Sequence, residues 1–307
     1  MISKKKIILD TDIGDDIDDV FALDFLSKSS EADFIGVTTV FRNAFARAKM
    51  AAYSLELFGR SDVPVYAGAD KPLINDAEQL ILPHVLAQDV NDENGKPLPC
   101  QYIKEMDNAK IENKTAIEFI AEQARIYKKE LYIVAIGPLT NLALAIRCYP
   151  DLMKNIGGIT LMGGNFSSCA PEWNIIVDPE AAEIVFSSGL PVKAIGYDLT
   201  QYCGVTDNYE TELRLSNNQE KSYLAHLIQL WHDRYHFDAP VLHDVLAVAV
   251  ELFDDLVEFK QKRVKVRLDG TPQTDRGATL PNENGSPIFI GNNVNVNRFM
   301  DIFYSRI

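Results

Sequence analysis

Six aspartates fall within ten positions of the stretch IILDTDIGDDIDDV, residues 7–20, directly after the apolar residues Ile7, Ile8 and Leu9. Carboxylates packed that closely repel one another, so the stretch is either a solvated acidic turn or a cage for a cation. Oxygen donors of this kind suit a hard ion such as Ca²⁺ or Mg²⁺, which turns the repulsion into coordination. Gly14 permits the sharp turn that would fold several carboxylates toward one point.

The elements around this stretch give it a location. KKIILD, DFIGVTTV, LYIVAI, GGITLM and PVKAIG read as buried strands. NAFARAKMAAYSLELFG, KTAIEFIAEQARIY, LTNLALAIRCY and DPEAAEIVFSSG carry apolar residues three and four apart, as helices do. Strands alternating with helices predict an α/β fold with an open, mostly parallel sheet flanked by helices. In such sheets ligands collect at the carboxyl ends of the strands, where Asp10 to Asp19 stand before the helix VFALDFLS. Residues 71–113, rich in Pro, Asn, Asp and Glu, read as an irregular insertion within a single domain covering 1–307.

Composition narrows the partners. With 30 basic against 44 acidic residues the formal net charge is −14, which argues against a nucleic-acid backbone or an anionic membrane surface and favours small ligands or a divalent cation. The apolar run after the N-terminal MISKKK is too short for a signal-peptide core, and no later stretch approaches a membrane span, so a cytoplasmic protein is expected. Cys100, Cys148, Cys169 and Cys203 lie far apart with no CxxC, consistent with a reducing compartment and without a thiolate metal motif.

Several chemistries could use the acidic turn. An EF-hand-like loop is disfavoured, because counting from Asp10 the glycine comes fifth instead of sixth and a strand precedes the loop where a helix should. A Mg²⁺-dependent DxD phosphohydrolase of the haloacid dehalogenase type remains an alternative, with Asp10 as nucleophile and Asp12 as second carboxylate. That reading lacks the threonine expected where Gly14 stands and leaves Asp16, Asp18 and Asp19 without a task. A non-catalytic binder of ribose or nucleoside is a third possibility.

Later segments discriminate among these. IILDTDIGDDIDDVFAL, IGVTTVFRN, VAIGPLTNLALAI, LMGGN, PEWNIIVDPEAA, PVLHDVLAVA and NVNVNRFMDIF occur in this order, and together they resemble the inosine-uridine preferring nucleoside hydrolase family. The resemblance implies hydrolysis of the N-glycosidic bond of ribonucleosides to ribose and a free base, in purine or pyrimidine salvage. It implies one Ca²⁺ held by aspartates and by the ribose 2′ and 3′ hydroxyls, with carboxylates stabilising an oxocarbenium-like ring.

Residue by residue, the resemblance makes Asp12 a metal ligand and the general base, Asp19 and Asp244 further ligands, and the backbone carbonyl of Ile136 another. Asp10 would support the loop. Asp18 would hold a ribose hydroxyl, although GDDIDD carries two residues more than the family's GxDD and leaves the division between Asp16 and Asp18 open. Asn43, Met162, Asn165, Glu172 and Asn174 match ribose-holding positions, and His243 matches the residue that protonates the departing base. Taken alone, Asp244 could instead cap the helix DVLAVAVELF. His232 and His236 stand four apart in WHDRYHF, but HExxH is not met and no third zinc ligand is evident. The resemblance instead sets His232, Tyr235 or His236 over the base. The glycine-rich segment expected after His84 is missing, which leaves the preferred base open. The expected partner is a small nucleoside, and the expected assembly a homodimer or homotetramer.

Overall fold

A computed structural model describes residues 4–74, 80, 86–271 and 274–307. Among them the chain begins with β1 (Lys5–Thr11), α1 (Asp18–Ser27), β2 (Ala32–Thr39), α2 (Ala44–Leu57) and β3 (Val65–Ala67). After an irregular stretch come α3 (Ala116–Tyr127), β4 (Leu131–Ala135), α4 (Thr140–Cys148) and β5 (Gly158–Met162). The short α5 (Trp173–Val177), α6 (Pro179–Phe186) and β6 (Val192–Ile195) follow. The last part holds α7 (Asp207–Leu215), α8 (Gln219–Tyr235), α9 (His243–Leu252), β7 (Val257–Val266), β8 (Thr279–Pro281), β9 (Ser286–Val294) and α10 (Val296–Tyr304).

All the described strands join one sheet in the order β3-β2-β1-β4-β5-β6-β9-β7-β8. The run from β3 through β6 to β9 is parallel, and β7 pairs antiparallel with both β9 and β8. The apolar run of β1 is buried on both faces: Ile7 and Leu9 enter one core, and Ile8 enters the other. The first core gathers α1, α2, α8, α9 and α10, whereas the second gathers α3, α4 and α6. Every residue of α1 is buried, including Asp18, Asp19 and Asp24.

Strand order reverses at β1, whose neighbours are β2 on one side and β4 on the other. The chain leaves β1 and β4 at the same end of the sheet, with Asp10 in register with Ala135 and the Ile136 amide donating to the Asp10 carbonyl at 2.8 Å. A crevice must open there because the two following connections diverge.

Candidate active site

The loop after β1 and the first turn of α1 carry the aspartates into that crevice. Gly14 has φ +119°, and a Cβ there would stand 2.6 Å from the Cβ of Pro99, so both its backbone and its surroundings demand glycine. Gly137, after β4, comes so near that a Cβ would meet the Asp12 carboxylate at 2.8 Å. α1 and α9 pack together with their N-termini side by side, and the Asp244 amide donates to the Asp18 carboxylate at 3.0 Å.

Asp18, Asp19 and Asp244 bring carboxylate oxygens within 4.8 Å of one another, and all three residues are buried. Burial pushes each of these carboxyls well above its ordinary range, and neighbouring carboxylates push further: Asp16 acts first on Asp18, Asp12 on Asp19 and Asp18 on Asp244. Burial also raises Asp12 to about 7 against the pull of the Arg47 guanidinium. Such a group of acids is stable when a cation joins it. The three donors are all carboxylate oxygens, which fits a hard divalent ion.

Arg47 balances part of the charge from outside. It projects from α2, is 1% exposed, and pairs with Asp15 at 2.5 Å while its Nη1 donates to the carbonyls of Asp12 and Ile13. Burial opposes ionisation of Asp15, yet the charge and hydrogen bond of Arg47 hold its carboxyl below the ordinary range. Asp15 is therefore the charge partner of Arg47. Both Asp16 and Asp18 line the cavity; Asp16 is exposed and accepts from the Ile17 amide at 2.7 Å, whereas Asp18 is buried.

The cavity has a volume of about 530 Å³. Of the residues expected from sequence, Asp12, Asp16, Asp18, Asp19, Ile136, Met162, Asn165, Glu172, Asn174, Tyr235, His243 and Asp244 line it together. Glu172 caps α5, accepting from the Asn174, Ile175 and Gly164 amides, and burial raises it to about 7 in spite of those bonds. Asn174 donates through Nδ2 to the carbonyls of Ile136 (3.0 Å) and Met162 (3.2 Å), binding the ends of β4 and β5 to the site. The Asn165 carboxamide oxygen accepts from the amides of Ser167 and Ser168 in a local turn. His243 holds Nδ1 at 2.6 Å from the Thr200 hydroxyl, stacks on Tyr197 with ring centroids 5.7 Å apart, and is lowered by burial to about 4.

Three expected residues are elsewhere. Asn43 caps α2 through its Oδ1, and its Nδ2 donates to Asp92 at 2.9 Å; it does not line the cavity. His232 is occupied by Glu210 and the Phe237 carbonyl. His236 follows the end of α8 with φ +57°, so the two histidines share no helical face. The N-cap of α9 is Leu242, and Asp244 lies within the first turn, where it serves the acid group rather than a cap. His84 lies outside the described residues.

Of the aromatic wall, sequence reasoning named only Tyr235 and missed Phe41, Trp173, Tyr197 and Phe237. Phe41 meets Trp173 edge-on at 6.3 Å, Tyr235 stacks on Phe237 at 5.7 Å, and Tyr197 completes the set. Arg47 was missed as well, although a lone charge on the apolar stripe of Ala44, Ala48 and Ala51 is a usable signal.

The profile of the family described as Inosine-uridine preferring nucleoside hydrolase matches residues 7–301. A probable uridine nucleosidase 2 of Arabidopsis thaliana is 35% identical over 289 residues, covering 90% of this chain and 85% of its own. The solved structure of a plant nucleoside hydrolase, the PpNRh1 enzyme, superposes with a TM-score of 0.83 at 28% identity over 98% of both chains. That of the purine-preferring ribonucleoside hydrolase from Gardnerella vaginalis gives 0.82 at 29%, again over 98% of both chains. With a mostly parallel sheet, acids at the β1/β4 switch point and a family match over residues 7–301, this chain is an N-ribosyl hydrolase belonging to the inosine-uridine preferring nucleoside hydrolase family.

Proposed function

We propose that the enzyme is Ca²⁺-dependent and cleaves ribonucleosides with water, giving ribose and a free nucleobase. The observation that carries this reading is the convergence of Asp18, Asp19 and Asp244, with Asp12, in a cavity that Phe41, Trp173, Tyr197, Tyr235 and Phe237 also line. A bound divalent ion supplies Lewis acidity and a fixed positive charge for the ribose diol. Asp19, Asp244, Asp12 and the Ile136 carbonyl are the proposed ligands.

Asp18 accepts a ribose hydroxyl, and Asn174, Glu172 and Met162 bound the sugar. Asp12 takes the proton of the attacking water. As the glycosidic bond breaks, the ribosyl ring gains positive charge, and the surrounding carboxylates favour that state over the ground state. Burial keeps His243 neutral near pH 7; in the tautomer whose Nδ1 accepts from the Thr200 hydroxyl, its Nε2–H hydrogen-bonds the departing base and stabilises the charge that develops there, and solvent supplies the proton that completes the free base. Asp10, the nucleophile of the phosphohydrolase alternative, is wholly buried and does not line the cavity.

Ribose release from a panel of ribonucleosides, beginning with uridine and inosine, tests the reading when run in calcium, in magnesium and with chelator. Calcium-dependent reducing sugar is expected. No sugar from any nucleoside overturns the proposal, and phosphate released from a monoester would restore the phosphohydrolase.

A further inference from the structure

The acidic loop has no regular backbone pairing, yet five consecutive carbonyls, residues 12–16, have donors. Arg47 serves Asp12 and Ile13. Gly14 accepts from the Gln101 amide at 3.0 Å, and the Gln101 side-chain Nε2 donates to the carbonyls of Asp15 (3.1 Å) and Asp16 (2.7 Å). The Cys100 amide adds a bond to the Asp15 carboxylate at 3.2 Å. Gln101 is fully buried, and its Oε1 has no hydrogen-bond partner, so its donors are the useful part of the side chain.

From this we infer that Gln101 is a positioning residue: its side-chain amide fixes the carbonyls of Asp15 and Asp16 and thereby aims the Asp16 and Asp18 carboxylates and sets the entry of α1 into the metal site. The inference rests on the proposed nucleoside site. A six-residue connection containing a glycine at φ +119° has many conformations open to it, and a carbonyl left without a donor could rotate toward the cavity and displace a carboxylate. Arg47 holds only the first two carbonyls. Gly14 is held by the Gln101 backbone amide and the Cys100 thiol, which also reaches the Asp15 carbonyl at 3.4 Å, so the side-chain fork of Gln101 serves Asp15 and Asp16, and Asp16 has no other donor among the described bonds. The same segment also bonds the neighbouring β2–α2 connection, through Asp92 to Asn43 and Asp89 to Arg42. The irregular insertion thus acts as a template for the acids.

Gln101→Met keeps the length and removes the side-chain donor, leaving the backbone bond to Gly14; Gln101→Glu keeps the shape and sets a carboxylate against two carbonyls. Calcium chloride titrated into metal-free protein by calorimetry, kcat and KM for the best nucleoside, and the melting midpoint are measured for each. The calcium Kd should rise about tenfold or more and kcat fall about tenfold to a hundredfold, with KM changed much less and Glu worse than Met, because misplacement of about 1 Å costs that much. Folded variants with unchanged calcium Kd and kcat overturn the inference. So does a variant that does not fold, which would make Gln101 a fold determinant. If the wild type binds calcium but releases no ribose, the nucleoside reading fails while the calcium titration still reports on the loop. A wild type that does neither overturns both.

Discussion

Asp10 and Asp12 are two residues apart and have different surroundings. Asp10 is enclosed, with one carboxylate oxygen accepting from Thr38 and Asn141 and the other without a partner, and burial raises it to about 7. Asp12 faces the cavity with Arg47 behind its carbonyl. Asp12→Asn should lower ribose release about 10²- to 10⁴-fold while a calorimetric nucleoside titration retains most of the affinity; Asp10→Asn should cost about tenfold or less. Isolation of a phosphoaspartyl adduct on Asp10 would reverse that ranking. His243→Ala should slow turnover of a nucleoside strongly and that of a p-nitrophenyl riboside far less, because nitrophenolate leaves without a proton. Equal losses on both substrates would assign the imidazole to positioning. The acids were legible because six of them directly follow a buried strand, and the later segments were legible because their order matches a family. Arg47 and Gln101 were not, since a single long polar residue has no period, and only the folded chain brings it beneath the loop it serves.

At the level of elements, α9 connects the two ends of the sheet. Its N-terminus supplies His243 and Asp244, and near its other end buried Glu251 pairs with Lys5 of β1 at 3.0 Å and Lys193 of β6 at 2.8 Å, and accepts from Thr160 of β5. Burial works against the Glu251 charge, but the two lysines and the hydrogen bonds hold its carboxyl below its ordinary 4.5. A carboxyl depressed in the folded state contributes stability that is present above 4.5 and lost as pH falls below it, through the lower folded value. Glu251→Gln should cost about 1–3 kcal/mol in urea unfolding at pH 7, with the lower end favoured because both lysines are partly solvated, and the loss should shrink in acid. A pH-independent difference would assign the effect to packing. The five parallel strands read from sequence are present because continuous apolar runs identify strands buried on both faces. β7 and β9 escaped that reading. The run VEFKQKRVKV buries few of its side chains and gains its order from antiparallel pairing with a segment some 30 residues away in sequence, which no local pattern announces.

For the molecule as a whole, the acid group couples ion binding to folding. An ion that binds only the folded chain adds about 2.7 kcal/mol at a hundred times its Kd, which raises the melting midpoint of a chain this size by about 4 °C. Scanning calorimetry in calcium and in chelator should show that gap; identical midpoints would mean that the carboxylates hold no ion. The order of the sheet has one more consequence. Its margins are β3 and β8, three residues each, and β8 ends in Pro281, which has no amide hydrogen to donate. The three-residue β8 covers only Val264–Val266 of the ten-residue β7, so most of that strand's outer edge carries no strand among the described residues. Lys260, Lys262 and Arg263 fall on the uncovered stretch, and charged side chains there oppose strand addition from a second copy, which is how an edge longer than its neighbour is kept from the stacking that starts fibrous aggregates.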